Sequence, residues 1–291
     1  MRTICRSLIP EDYIYYRTGS KVFFEYYRQY TNFLIQKITH NYEFVIIKRF
    51  FWSTFGVVIA EKIDVEPTKN FLHTIGLSHG IMYWTPLRKL VKPAGWFRIP
   101  TFFPKDVLHA SRSAFSILDR ADYWNKWSRS ARAHRRKILE LKSQWVLEVI
   151  RCHNLEIFLD AYSSACVKDP NYTWLVQWCV DTFSNSNIKN HLLAYVVKIN
   201  WKILAGAVFI EQWVTSEYFT SFYTQEAKPY HLWIAIMNAW FSDSYQKWMK
   251  YLDLDHMQDE WQLSSYAWYT KFKESIADHD VYFHDMWVKF F

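Results

Sequence analysis

The sequence predicts an α/β (α+β) chain made of two related halves, each built on mixed, mainly antiparallel sheet, with a cleft between them. Three observations carry that expectation. Strand-forming runs gather in two places, Glu43–Lys48 with Thr54–Ala60, and Leu192–Lys198 with Ile203–Glu211 and Tyr218–Thr224. Broken by short turns, such runs read as antiparallel strands. Apolar residues at helical spacing fill the stretches between them. Finally, a shift of 150 residues lays Val45–Glu61 over Tyr195–Glu211, so that Lys48 meets Lys198, Gly56 meets Gly206, Val58 meets Val208 and Glu61 meets Glu211. A shared order of Lys, strand, Gly, strand, Glu points to an internal duplication.

Taken in order, Ser20 is placed to cap a helix running to about Ile38, with Val22, Tyr26, Tyr30, Phe33, Leu34 and Ile38 on one side. The first strand pair follows, and then Gly80–Trp84 as a further strand, stopped by Pro86. Pro93, Pro100 and Pro104 argue against long regular elements in the next segment. The strongest helix runs from Arg120 to Lys142, where Trp124, Trp127, Ala131, His134, Ile138 and Leu141 recur at steps of three and four. Asp119 or Asp122 would cap it. Helices are expected over Leu155–Lys168 and Trp174–Phe183, on either side of Asp169-Pro170-Asn171, before the three strands of the second half.

After Pro229, His231–Lys250 reads as a helix carrying Trp233, Met237, Trp240, Tyr245 and Trp248. Tyr251–His256 alternates, with Leu252 and Leu254 on one face and Asp253 and Asp255 on the other. That pattern predicts a strand whose carboxylates sit at a rim. A loop then delivers Tyr266–Lys273, with Lys271 and Lys273 flanking Phe272. The division expected is a first half over 1–118, a basic linking helix over 119–142 and a second half over 143–291.

A hydrophobic fraction of 51% is ample for a core and excludes a disordered chain. Aromatic residues make up 20%, against only 6 Gly. They serve either as bulky core filler or as amphipathic rings lining a groove for sugars, peptides or bases. Cys5, Cys152, Cys166 and Cys179 show no C-x-x-C spacing, so no zinc or redox motif is indicated and reduced thiols in the cytoplasm are expected. Met1–Asp12 lacks an apolar run behind its charges, and Phe50–Ala60 is too short to span a bilayer. A soluble monomer without a membrane span is expected, with room for peripheral association.

The formal charge is +7. Within Arg120–Lys142, eight Lys and Arg face only Asp122 and Glu140, a net +6, so the attraction for an anionic partner rests on this one segment. Arg132 and Arg136 are the candidates for holding substrate phosphates, the alternative being a solvated charged face. Asp253, Asp255, His256 and Asp259 match no hard-metal loop template, and no metal is expected. No nucleophile elbow is present for Ser-His-Asp chemistry.

Four stretches together resemble the Fem family of peptidoglycan aminoacyltransferases, which has tandem Gcn5-type N-acyltransferase (GNAT) halves. "WNKWSRSARAHRRKI" is similar to the helix that opens the family's second half, and "HLLAYVVKINWKILAGAVFI", with Ala205-Gly206, to a strand pair. "YLDLDH" and "TKFK" complete the order. The likeness covers Trp124 to the C-terminus and is thin before it. It implies amino-acid transfer from aminoacyl-tRNA to an amine of a UDP-linked or lipid-linked muropeptide, with Phe272-Lys273 bordering the transfer site. Two departures stand out: there is no room for the long helical arm of some members, and the phosphate-cradling glycine loop of acyl-CoA enzymes is replaced by "TQEAKPY". Losing that loop removes the backbone N–H groups that hold a pyrophosphate. The acyl donor, aminoacyl-tRNA or else acyl-CoA, is then a co-substrate, and no bound cofactor is expected.

On that chemistry Lys273 stabilises developing negative charge, and Asp255 accepts the amine's proton or serves only as a turn or cap residue. Tyr223 hydrogen-bonds a sugar or peptide, or is an ordinary sheet tyrosine, and Phe272 borders the substrate. A silent module that binds nucleic acid or cell-wall glycan through the basic helix and aromatics is the reading from a different class.

Overall fold

The structure, a computed structural model, describes residues 2–3, 34–38, 42–49, 54–61, 66–74, 76–85, 93–99, 112–166, 191–212, 214–257, 267–282 and 286–291. Its strands are β1 (Arg2–Thr3), β2 (Leu34–Ile38), β3 (Tyr42–Arg49) and β4 (Phe55–Glu61), followed after helix α1 (Lys69–Thr74) by β5 (His79–Thr85), β6 (Phe97–Ile99) and β7 (Arg112–Ile117). Helix α2 (Arg129–Ser143) leads to β8 (Leu147–Cys152), α3 (Leu155–Cys166), β9 (Leu192–Ile199), β10 (Lys202–Gln212) and β11 (Thr215–Tyr223). Helix α4 (Leu232–Gln246), β12 (Tyr251–Met257), α5 (Ala267–Ile276), β13 (His279–Tyr282) and β14 (Met286–Phe290) complete the described elements. The helix expected over Trp174–Phe183 lies outside the described residues.

Contacts divide the chain into two units. One comprises Met1–Thr3, Ala114–Asp255 and Leu263–Asp280, and the other Ile4–Ser113, His256–Gln262 and Val281–Phe291. The second of these holds the six-stranded sheet β2-β3-β4-β5-β14-β6. Leu34–Ile38, expected as the end of a helix, is instead strand, paired antiparallel with β3 through Leu34↔Ile47 and Ile35↔Ile46. Its apolar spacing suited either element, and pairing with the β-branched run of β3 decides it. Val58, Phe71, Leu72, Met82, Trp84, Trp96 and Trp287 form the core of this unit. The Trp96 indole donates to Glu66 Oε1 at 2.7 Å, so the polar atom of that buried ring is satisfied.

The first unit carries the eight-stranded sheet β1-β13-β7-β12-β11-β10-β9-β8. Strands β8 to β11 pair antiparallel, and β11 pairs with β12 in parallel. The central strands are apolar on both faces, as a sheet covered by helices on both sides requires. On one face Phe158 and Tyr162 of α3 pack on Ala194, Val196, Val208 and Phe222. On the other, Trp240 of α4 stacks on Phe209 with ring centroids 4.1 Å apart. Asp253 of β12 is 3% exposed, so the expected rim of carboxylates does not hold at that residue. β12 runs inside the sheet between β7 and β11, and consecutive residues Tyr251, Leu252, Asp253 and Leu254 are buried, so both of its faces are covered.

Both units repeat one topology. Three antiparallel strands lead through a helix to a strand parallel to the third: β2-β3-β4, α1, β5 in one unit and β9-β10-β11, α4, β12 in the other. The tandem GNAT-like arrangement therefore stands, but the 150-residue correspondence is one strand out. It lays β3 on β9 and β4 on β10, whereas the shared topology matches β3 with β10 and β4 with β11. The two glycines aligned by that shift also serve different ends. Gly56 lies opposite Gly80 of β5, where an added Cβ at Gly80 would stand 2.6 Å from the Gly56 carbonyl oxygen. Gly206 lies under Phe222, and a Cβ there would meet the ring at 2.5 Å and the Tyr195 carbonyl oxygen at 2.9 Å. Backbone cannot yield as a side chain does, so Gly206→Ala should destabilise the protein by about 1–3 kcal/mol. A urea midpoint equal to that of the parent would refute this packing.

Helix α2 begins later than its sequence suggests. Tyr123–Lys126 form a separate 3-10 turn, Trp127 is extended, and the cap is Ser128, whose Oγ accepts from the Ala131 N–H at 3.1 Å. Asp122 precedes the short turn and makes no side-chain capping bond. The helix then turns Ala131 and Ile138 inward and leaves Arg132, Arg136 and Leu139 exposed.

Candidate active site

The site grows from an irregularity in β11. Val208 pairs with Thr220 but Phe209 pairs with Tyr218, so Phe219 is an extra residue in the ladder. A bulge of this kind breaks the two-residue alternation and re-aims the side chains beyond it. Thr220 and Phe222 then face α3, while Tyr218, Ser221 and Tyr223 share the α4 face. The Tyr218 hydroxyl bonds Ser221 Oγ, a contact that regular alternation would not allow.

On that face Trp233, in the first turn of α4, gathers the aromatics. Its ring stacks parallel to Tyr223 at 5.9 Å, meets Tyr218 edge-on at 6.4 Å and lies 6.1 Å from Phe272. The Trp233 Nε1 is buried and has no hydrogen-bond partner among the described residues. Next to it, Lys273 is 2% exposed, with Nζ 5.5 Å from the centroid of the Tyr218 ring. Buried lysines are rare, because an ammonium taken out of water must be offset by nearby negative or π charge. Lys273 and Phe272 are delivered by helix α5 and not by the expected loop, and Lys271 of the same helix is exposed.

Tyr223, Phe272 and Lys273 are thus brought together, around Trp233 and Tyr218, which sequence reasoning had not singled out as site residues. The Tyr223 hydroxyl donates to the Ala227 carbonyl at 2.7 Å. Burial raises its pKa above the ordinary phenol value, against the opposing pull of the Leu232 backbone. Asp255 lies on β12, and its side chain is outside the described set, as are those of His256 and Asp259. Among the described residues no cluster of His, Cys, Asp or Glu is arranged to hold a metal.

Arg132 and Arg136 stay in solvent one turn apart on α2. Their neighbours on that helix reach α4 instead. Arg135 donates to Asn238 Oδ1 and lies 4.0 Å over the Trp124 ring, and His134 stacks on His231 at 3.7 Å. Burial, His134 and Lys137 all lower the His231 pKa. His231 opens α4 in the left-handed region at φ 53°, after a 3-10 turn over Gln225–Tyr230 that contains Pro229. No glycine is present where a pyrophosphate-binding loop would need one.

The architecture matches solved structures over its whole length. The structure of FemX aligns with 100% of this chain and 97% of its own, at a TM-score of 0.70 and 10% identity. The chain has the Fem-like GNAT fold. A conserved protein of unknown function from Bacteroides thetaiotaomicron shares the fold at a TM-score of 0.60, with 9% identity over 99% of this chain and 97% of the other. L-PGS from Bacillus licheniformis does so at 0.51, with 11% identity over 96% and 90%. No protein-family model matches the chain, and no curated protein matches it by sequence. Within this Fem-like fold, no described helix is long and apolar enough to cross a membrane.

Proposed function

We propose that the chain is a Fem-type N-acyltransferase that moves an amino acid from aminoacyl-tRNA to an amine of a UDP-linked or lipid-linked peptidoglycan precursor peptide. The observation that carries this reading is the buried Lys273 ammonium at the end of a wall formed by Tyr218, Tyr223, Trp233 and Phe272. In such a transfer the acceptor nitrogen attacks the ester carbonyl, the C–N bond forms, and charge collects on the carbonyl oxygen. The C–O bond to the ribose then breaks, and the nitrogen's proton leaves. Lys273 stabilises the oxyanion and the departing ribose oxygen, and Asp255 takes the proton directly or through water. Trp233 Nε1 donates to a carbonyl of the acceptor peptide, and the rings of Tyr223 and Phe272 cover its apolar parts. Arg132 and Arg136 engage phosphates of the precursor.

The start of α4 favours the tRNA donor over acyl-CoA. Pro229 and a left-handed His231 stand where a glycine loop would present amides to a pyrophosphate. The test is radiolabelled amino-acid transfer to a UDP-linked muropeptide, with charged tRNA and acyl-CoA as rival donors. Transfer from charged tRNA alone is expected, with Arg132→Ala plus Arg136→Ala weakening acceptor binding and flattening its salt dependence. Transfer only from acyl-CoA would overturn the donor assignment. No transfer from either, with retained binding of nucleic acid or glycan, would favour a non-catalytic module.

A further inference from the structure

Five non-glycine residues in the described chain have left-handed backbone, and three of them are exposed tryptophans. Trp145 ends α2 in a Schellman turn at φ 62°, its N–H on Lys142 and that of Val146 on Leu141. Asn200 and Trp201, at φ 45° and 72°, make the two-residue turn between β9 and β10, where asparagine followed by glycine is the favoured pair. Trp248 ends α4 in the same manner as Trp145, at φ 63°. A bulky side chain at such a φ strains the backbone that glycine would relax, and strain of this kind concentrates where a side chain has a task.

Two of the three act at one place. The Asn200 N–H donates to the Val146 carbonyl at 3.1 Å, which ties the Trp145 and Trp201 turns together at one end of the sheet. Trp145 is 93% exposed and Trp201 88%, so neither contributes to a core. The exposed side of α2 leads to the same corner with Arg132, Arg136 and Leu139, and that helix carries six basic residues against Glu140 alone. Trp248 lies at the opposite end, because β12 starts opposite Thr215, beside the β10–β11 turn.

We infer that the Trp145–Trp201 corner docks the protein on an anionic lipid bilayer surface. Indoles held out on tight turns settle at the headgroup level, where an apolar body and a polar N–H are both satisfied. The cations of α2 supply attraction to acidic headgroups, which decays within a Debye length and so requires this closeness. Leu139 favours lipid over nucleic acid, since an aliphatic side chain gains from acyl chains and not from base stacking. The inference rests on this surface alone and holds whatever reaction the chain performs.

The test is co-flotation of the full chain with vesicles of phosphatidylglycerol and phosphatidylcholine in equal parts, and with phosphatidylcholine alone. The parent should float with the anionic vesicles. Trp145→Gly combined with Trp201→Gly should weaken that binding by about a hundredfold, roughly tenfold for each indole withdrawn. The same changes relieve two strained turns, so the melting temperature should hold or rise, which separates lost docking from lost folding. Trp248→Gly relieves equal strain at the far end and should leave flotation unchanged. The inference is overturned if the parent stays off anionic vesicles, if the double variant floats as well as the parent, or if the variant loses retention of tRNA instead.

Discussion

Replacing Lys273 by alanine is expected to lower kcat by about 10²–10³ while leaving acceptor affinity nearly unchanged. The Lys273 side chain is buried, and an interaction that strengthens as charge develops on the reacting oxygen falls on turnover more than on binding. Burial makes a purely structural role the competing explanation, and Lys273→Met separates the two. Methionine keeps much of the length and the apolar stem beside the Tyr218 ring while removing the charge. A catalytic lysine predicts that Lys273→Met, assayed where urea melts show it folded, is as slow as Lys273→Ala. Lys271→Ala, two residues earlier on the solvent side of α5, should change kcat by no more than about twofold. Steady-state kinetics with urea melts on the three variants decides the matter. Full activity in Lys273→Met would remove this residue from the chemistry.

What the sequence showed of this site, and what it hid, follows from how each signal works. The strand runs at 43–60 and 192–224 were legible because β-branched clusters broken by turns have few other uses. Register was not, because the 150-residue match paired hairpins that resemble one another in composition while occupying different places in the ladder. The bulge at Phe219, which puts Tyr218 and Tyr223 on one face, leaves no mark in an aromatic-rich strand. Helix α5 does not show in the sequence because its inward positions include Thr270 and Lys273 beside Ile276, and a periodicity read from apolar residues passes over buried polar ones. The break at Trp127 was hidden for the opposite reason. Trp124, Trp127, Ala131 and Ile138 keep helical spacing through an extended residue, and only the Ser128 cap marks the true start. The resemblance to the Fem family singled out the Phe272-Lys273 pair where composition and spacing did not, and the likeness to FemX bears on the fold.

Trp240→Ala should be the most damaging single change to stability, at about 3–5 kcal/mol. The side chain is fully buried, stacks on Phe209 at 4.1 Å and meets Phe241 edge-on at 5.6 Å. Its Nε1 donates to Ser216 Oγ at 2.7 Å, and Ser216 is itself fully buried. Truncation thus opens a cavity between α4 and the sheet and strands a hydroxyl that has no route to water. The two costs can be parted. Trp240→Phe keeps most of the apolar volume and loses the hydrogen bond, so it should cost about 1–3 kcal/mol. Adding Ser216→Ala to Trp240→Phe removes the stranded partner and should recover part of that loss, whereas Ser216→Ala alone strands the indole N–H and should destabilise. Because Trp240 follows Trp233 by seven residues on the same helix, its packing also sets the seat of the aromatic wall. Urea melts of the four proteins form the double-mutant cycle. If Trp240→Ala lowers stability by less than about 1 kcal/mol, or if the two single changes are simply additive, α4 is not anchored through this ring.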